Sequence, residues 1–391
     1  MIMTAENAST HAMMVRPGHD AREREQFFLS LRGWINGFAE EVVKPRIRSH
    51  ARDADIPVDV PAAPGQRFEV RRACETDPAY LLWGSMWASS QKLLWNYVGQ
   101  SVEAQHEKLR QAFRDRQGRV GSLRLSPEMQ LPRYLTAKDV HAMPGGYALD
   151  RGDDDLRAGA MYDRGGALFQ LQANGGVMND GRGHTMVAFL QDAFAVTSPR
   201  RILDLGCTVG NSTVALAQHF PDAEVHAVDA SPAMLRYAHA RAEALGVPIH
   251  FSQQNAEHTD FEDGSFDLVV SHVMLHETSR QALPRILAEC HRLLKPGGVM
   301  AHLEVPYRYQ DMLIDDVIIR DWQSYHNGEP FWGGCCTADF AGLLTTAGFD
   351  DQRIGFQPST RDPADPNRGR FCSTGEPNFR YWFVAGGRRL D

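Results

Sequence analysis

No stretch of this 391-residue chain reaches the run of about 18 apolar residues that a bilayer-spanning helix needs. The N-terminal MIMTAENASTHAMMVRPGHD also lacks the apolar segment of a secretion signal, so no membrane partner is expected. Positive charge is in deficit too: 41 Lys and Arg stand against 49 Asp and Glu, for a formal net charge of −8. Nucleic acid and anionic lipid both require a basic patch, so neither is expected as a partner. The one basic run, KPRIRSHAR (44–52), reads as the solvated face of a helix end. Cysteines are few: six, at 74, 207, 290, 335, 336 and 372, without a C-x-x-C pair. Neighbours such as Cys335 and Cys336 rarely bridge, and the pattern suits a reducing cytoplasm. Internal repeats and low-complexity tracts are absent.

What is present is globular: 43% hydrophobic and 23% charged residues, on a chain about twice the usual domain length. Residues 1–20 are expected to be a flexible start and 21–180 a mainly helical cap or dimerisation region. In that region Phe27, Phe28, Leu31, Trp34, Ile35, Phe38, Val42 and Val43 recur at helical spacing over 22–50. A Pro- and Ala-rich link follows, and then a second helix capped by Thr76 or Asp77, with Pro78 in its first turn. Its Trp83, Trp87 and Trp95 read as core or subunit interface, which makes a homodimer through these helices a candidate assembly. Residues 118–150 read as irregular, with two more helices around 155–172 and 183–196.

From about residue 200 strand-like runs alternate with helical ones: RILDLG, EVHAVD, IHFSQQ, FDLVVSHV and VMAHLE, with DDQRIGFQ and FRYWFVAGG as a final pair. Crossovers of that length predict a doubly wound, mostly parallel seven-stranded α/β sheet over 181–391. Ligands of such sheets bind beyond the carboxyl ends of the strands, where the first glycine turn, LDLGCTVGNS, falls. A dinucleotide turn, G-x-G-x-x-G, would need glycines where Thr208 and Asn211 stand.

The turn resembles the first motif of class I S-adenosylmethionine-dependent methyltransferases, D/E-x-G-x-G-x-G, through Asp204, Gly206 and Gly210, with Thr208 replacing the middle glycine. In order and at family spacing follow AEVHAVDASPAML, NAEHTDFEDGSFDLVVS and LLKPGGVMAHLE. The resemblance implies a Rossmann-like methyltransferase fold and S-adenosylmethionine as cofactor. It implies that Asp229 takes the ribose hydroxyls, a task for an acceptor-only carboxylate, unless it caps the following helix, for which Ser231 is better placed. Met234 and Asn255 would lie at the adenine and Ala256 would offer its N–H, with Ala230 and Ser271 also at the cofactor.

Methyl transfer from a sulfonium is an in-line displacement, so the protein chiefly positions the partners, and a hydroxyl acceptor also needs a base. LHET resembles the catalytic L-H-D-W of small-molecule O-methyltransferases and places His276 as that base. Carbon, nitrogen or sulfur acceptors remain alternatives, as does a domain that binds the cofactor without turnover. A metal on His272, His276, Glu277 and Glu304 is not expected, because their segment straddles a strand end. His272 and Glu304 are instead candidates for a small-molecule substrate pocket. Tyr162 would close that pocket, under an aromatic lid at 306–336 that includes Tyr307, Trp322, His326 and Trp332.

Overall fold

The computed structural model describes residues 10–116 and 118–390. Its sheet holds eight strands: β1 (Ser122–Arg124), β2 (Arg201–Leu205), β3 (Glu224–Asp229), β4 (His250–Gln253), β5 (Phe266–His272), β6 (Leu294–Glu304), β7 (Asp350–Pro358) and β8 (Tyr381–Arg388). They lie in the order β1-β4-β3-β2-β5-β6-β8-β7, with only β8 antiparallel to its neighbours. The order reverses beside β2, so the turn after Leu205 sits at the switch point where doubly wound sheets bind ligands.

The doubly wound sheet expected from the alternation is present, with one strand more than the seven expected. The addition is β1, inside the stretch that read as irregular. Its pairing with β4 is parallel, and the Glu243 carboxylate on helix Pro232–Leu245 accepts the N–H groups of Arg119, Val120 and Gly121 beside it (3.0, 3.1 and 2.9 Å). A three-residue edge strand pinned from 120 residues away carries no local periodicity.

The N-terminal part is helical as expected, but cut differently. The first helix runs His19–Trp34, passes through a π-helical segment Ile35–Ala39, and continues as Glu40–Asp53. A helix Pro64–Cys74 was not foreseen; it buries only Val70 and Cys74, too thin an apolar signal to read. The long helix Pro78–Arg114 starts where Asp77 accepts from the N–H groups of Ala79 and Tyr80 (2.8 and 3.3 Å). Its three tryptophans are buried.

Residues 1–9 lie outside the described residues, but Met13 and Val15, within the start expected to be flexible, are buried in a cluster with Phe28, Trp95, Met234 and Tyr237. That cluster crosses the expected boundary near residue 180. A buried ionic knot ties the same junction: Asp163 meets His11 (3.2 Å) and Arg241 (3.7 Å) and accepts from Tyr237 Oη (2.8 Å). Among the described residues no helix is long and apolar enough to cross a membrane.

Candidate functional site

Two cavities meet beyond the carboxyl edge of the sheet. The first lies against the β2, β3 and β5 ends, where doubly wound sheets place their ligand sites. It is lined by Gly206, Thr208, Asp229, Ala230, Asn255, Ala256 and His272, with Tyr134 and Tyr147 across from them. The second lies under the helical cap between Trp95, His141, Phe169, Asn179, Arg182, His276, Trp332 and Trp382. Tyr147, Tyr162, Val273 and Glu277 line both, forming the junction. Wider grooves of about 1,360 and 1,570 Å³ near Pro64 and Arg67 are open surface away from the strand ends.

The glycine turn is shaped by backbone demand. Gly206 has φ 68°, and a Cβ there would come within 2.3 Å of Met274 Cγ. Thr208, at φ 46°, takes the left-handed conformation that suits the glycine it replaces. Its N–H donates to Asp229 Oδ2 (2.9 Å) and that of Ser231 to Oδ1 (2.8 Å). Each carboxylate oxygen therefore keeps a lone pair for a hydroxyl in the cavity, a geometry that fits a ribose diol. Burial pushes this carboxyl above its ordinary value, assisted by nearby Asp204. Ser231 does the capping, accepting from Met234 N–H (3.3 Å).

Other expected cofactor residues lie behind the wall. Asp204 is buried, accepts from Thr213 Oγ1 (2.6 Å) and lies 3.3 Å from His272 Nδ1, so it braces the turn without lining the cavity. Met234 is buried in the cluster shared with the N-terminal helices, and Ser271 Oγ sits 2.6 Å from His302 Nδ1; neither lines the cavity.

After β5, Val273 adopts φ 49°, a strained conformation for a β-branched residue, and throws the chain into the turn Leu275–Glu277. That turn aims His276 into the second cavity. Glu304, at the end of β6, holds it from behind, accepting from Leu275 N–H (2.7 Å) and meeting His276 Nδ1 (2.6 Å), so it supports the pocket rather than lining it. Burial lowers the His276 pKa, but Glu304 and then Glu277 outweigh it and raise it to about 9. Burial and Glu329 together push Glu277 up to about 7.

Of the expected lid, Trp332 reaches the cavity and meets the His276 ring edge-on at 5.1 Å. Tyr307 is buried beside Trp332 without lining either cavity. Trp322 and His326, expected over the acceptor, are not there. The lid helix Ile314–His326 turns its apolar face to the N-terminal helices, where Trp322 packs on Trp83 and Trp87 and carries the exposed His326 on its outer side.

His141, Tyr147, Arg182 and Glu329 are the polar residues that sequence reasoning missed at this end. Tyr147 donates to Glu277 Oε1 (3.1 Å), and His141 Nε2 lies 3.5 Å from the same oxygen. Arg182, 5% exposed, has no ion pair among the described residues, and its Nε lacks a hydrogen bond. The irregular Gly- and Pro-rich loop 139–147 was the available signal, but nothing in it said where it would land.

Residues 202–298 match the family model described as a methyltransferase domain. The chain is 36% identical over 109 residues to the demethylmenaquinone methyltransferase of Thermus thermophilus, covering 28% of this chain and 49% of that one. It is 42% identical over 106 residues to a trans-aconitate 2-methyltransferase of Methylobacterium radiotolerans (27% and 37% covered). The chain thus spans half or less of the length of these relatives. Among solved structures, the Haemonchus contortus phosphoethanolamine N-methyltransferase 2 with S-adenosyl-L-methionine superposes at a TM-score of 0.35 and 21% identity, covering 43% of this chain and 37% of that one.

Proposed function

We propose that this chain, whose residues 202–298 form a class I S-adenosylmethionine-dependent methyltransferase domain, transfers the methyl group to the hydroxyl of a small organic acceptor held in the second cavity. The observation that carries this reading is the junction: the cavity of the glycine turn and Asp229 adjoins the cavity of His276, the two sharing Tyr147, Tyr162, Val273 and Glu277. S-adenosylmethionine supplies the electrophilic methyl carbon. In this reading Asp229 takes the ribose hydroxyls, and Asn255 and the Ala256 N–H border the adenine. Asp204, Met234 and Ser271 act indirectly, by fixing the wall.

His276 is the proposed base. Glu304 holds Nδ1, and Nε2 lies 3.7 Å from Glu277 Oε1. Because these carboxylates raise the ring's pKa to about 9, only its neutral form takes the hydroxyl proton, and turnover should rise with pH toward that value. The aromatic walls suit an organic acceptor, and Arg182, which lies over the Trp382 ring but has no ion pair among the described residues, favours one with an anionic group, because a buried guanidinium lacking a counter-charge is costly. The six free thiols suit a reducing cytoplasm.

The test is calorimetric titration with S-adenosylhomocysteine and NADH, followed by an acceptor screen. Binding of the first alone is expected, with turnover reduced about 10²–10⁴-fold in His276→Ala at unchanged cofactor affinity. NADH binding, or full turnover in the variant, would sink the cofactor and base assignments respectively. A homodimer is the proposed assembly, supported by the exposed stripe of Phe27 (54%), Trp34 (47%), Phe38 (61%) and Val42 (51%) on the first helices. Sedimentation should show a dimer that Phe38→Glu dissociates; a monomeric native protein would refute it.

A further inference from the structure

A second polar constellation lies at the junction of the two cavities, assembled from three distant segments. His141 comes from the 3₁₀ turn Val140–Ala142, Glu277 from the turn after β5, and Glu329 from the loop after the lid helix. One donor atom from each lies within 4.8 Å of the others. His141 Nε2 is 3.5 Å from Glu277 Oε1, and His141 Nδ1 is in close contact with Glu329 Oε1.

The surroundings hold this arrangement in place. His141 and Ala142 both sit at positive φ (54° and 52°), a strained pair. The His141 carbonyl is fixed by Gln91 Nε2 (2.8 Å) and Trp95 Nε1 (2.7 Å) from the long helix. Gly328, at φ 73°, lets the lid loop approach so closely that a Cβ would lie 2.4 Å from the Asp139 carbonyl, which brings Glu329 against His141.

Carboxylates outnumber their ionic partners here. Glu329 is 1% exposed, and His141, whose Nδ1 is in close contact with Oε1, is its one ion-pair partner among the described residues. No Lys or Arg among the described residues pairs with Glu277, Glu304 or Glu329; their ionic partners are His141 and His276. Three carboxylates thus share a largely dry site with two imidazoles. Buried carboxylates of this kind are paired or coordinate a metal.

We propose that His141, Glu277 and Glu329 bind one divalent first-row cation between the cofactor and acceptor cavities. One imidazole and two carboxylates suit Zn²⁺ or Mn²⁺. Donors about 2.0–2.2 Å from a Zn²⁺ ion lie within roughly 4 Å of each other, so small side-chain adjustments close the shell. Three protein ligands leave positions open toward the acceptor, as in catalytic rather than structural sites. The role in transfer rests on the methyltransferase reading; the binding itself does not. In that role a cation held by His141, Glu277 and Glu329 would supply Lewis-acid activation, lowering the pKa of an acceptor hydroxyl. The hydroxyl proton would go to neutral His276 as the oxygen bonds to the methyl carbon and the carbon–sulfur bond breaks with its electron pair going to sulfur.

The experiment uses the full chain, stripped by chelation and dialysed against Mn²⁺ or Zn²⁺, with bound metal counted by plasma mass spectrometry and Mn²⁺ followed by electron paramagnetic resonance. One equivalent is expected. Glu329→Gln, nearly isosteric, and His141→Gln should each lower affinity at least tenfold, while S-adenosylhomocysteine affinity, titrated in parallel, stays within twofold. Substoichiometric metal in the native protein, or equal metal in both variants, overturns the site. Metal bound with no cofactor binding would overturn the methyltransferase reading and leave the site standing. A variant with altered far-ultraviolet circular dichroism is set aside for Glu277→Gln, to which the metal criteria alone apply, because Glu277 also lines the cofactor cavity.

Discussion

The cofactor cavity and the acceptor cavity share a wall but are built in opposite ways. The first draws on the ends of β2, β3 and β5 and the turns that directly follow them, so its glycine, carboxylate and amide groups fall within one stretch of about 70 residues. The second draws its lining from residue 95 to residue 382, and its ionisable groups come from three distant segments: His141, Arg182 and the adjacent His276 and Glu277. Proximity in sequence makes a site readable as a motif. A site closed by a cap can be specific without leaving any such trace.

The contrast can be broken at the seam first. Asp163 joins His11, Arg241 and Tyr237 across the N-terminal and sheet-bearing parts. Removing one partner of a buried ionic knot costs about 3–5 kcal/mol. Asp163→Ala should therefore lower denaturant stability by that amount, in one cooperative transition. Two separated transitions, with the sheet part unaffected, would show that the cap is independent. His11 and Arg241 also hold this carboxyl below its ordinary range against the opposing effect of burial. Its contribution is thus present at neutral pH and fades as acid protonates it, so Asp163→Asn should flatten the acid limb of the stability curve.

A smaller effect separates the cavities from each other. Asp229→Ala should weaken S-adenosylhomocysteine binding by about 1.5–3 kcal/mol, the scale of a charge-assisted hydrogen bond. Arg182→Met should leave that affinity alone and raise the acceptor KM ten- to a hundredfold. The same response in both titrations would mean that the two cavities do not divide the work. The smallest effect concerns the turn itself. Thr208→Gly should relieve left-handed strain and stabilise the protein by at most about 1 kcal/mol, with cofactor affinity unchanged or better. A clear loss of affinity would show that the threonine side chain, rather than its backbone, is what the turn requires.

Much of the sheet was readable because its strands are short β-rich runs separated by helices with ordinary caps. Ser231 before Pro232, and Gly246 at φ 70° after Leu245, are local signals that need no tertiary help. The divided first helix was not readable. Its apolar stripe is wider than the face the fold buries: Phe28, Ile35 and Val43 go inward while Phe27, Trp34, Phe38 and Val42 stay out. The lid misled for a related reason. Aromatic residues at 322 and 326 share a helical face with the apolar core of the cap, and composition cannot say which wall a ring will join.

The sequence by itself determined the doubly wound sheet, the place of the glycine turn at its switch point, and the group of residues beside Asp229, because each depends on neighbours a few residues away. Only the tertiary structure decided that Glu304 stands behind His276, that Arg182 is buried with no ion pair among the described residues, and that His141 and Glu329 close on Glu277. Those meetings depend on how the cap folds over the sheet, where burial and long-range packing, not local propensity, set which polar groups must share a dry space.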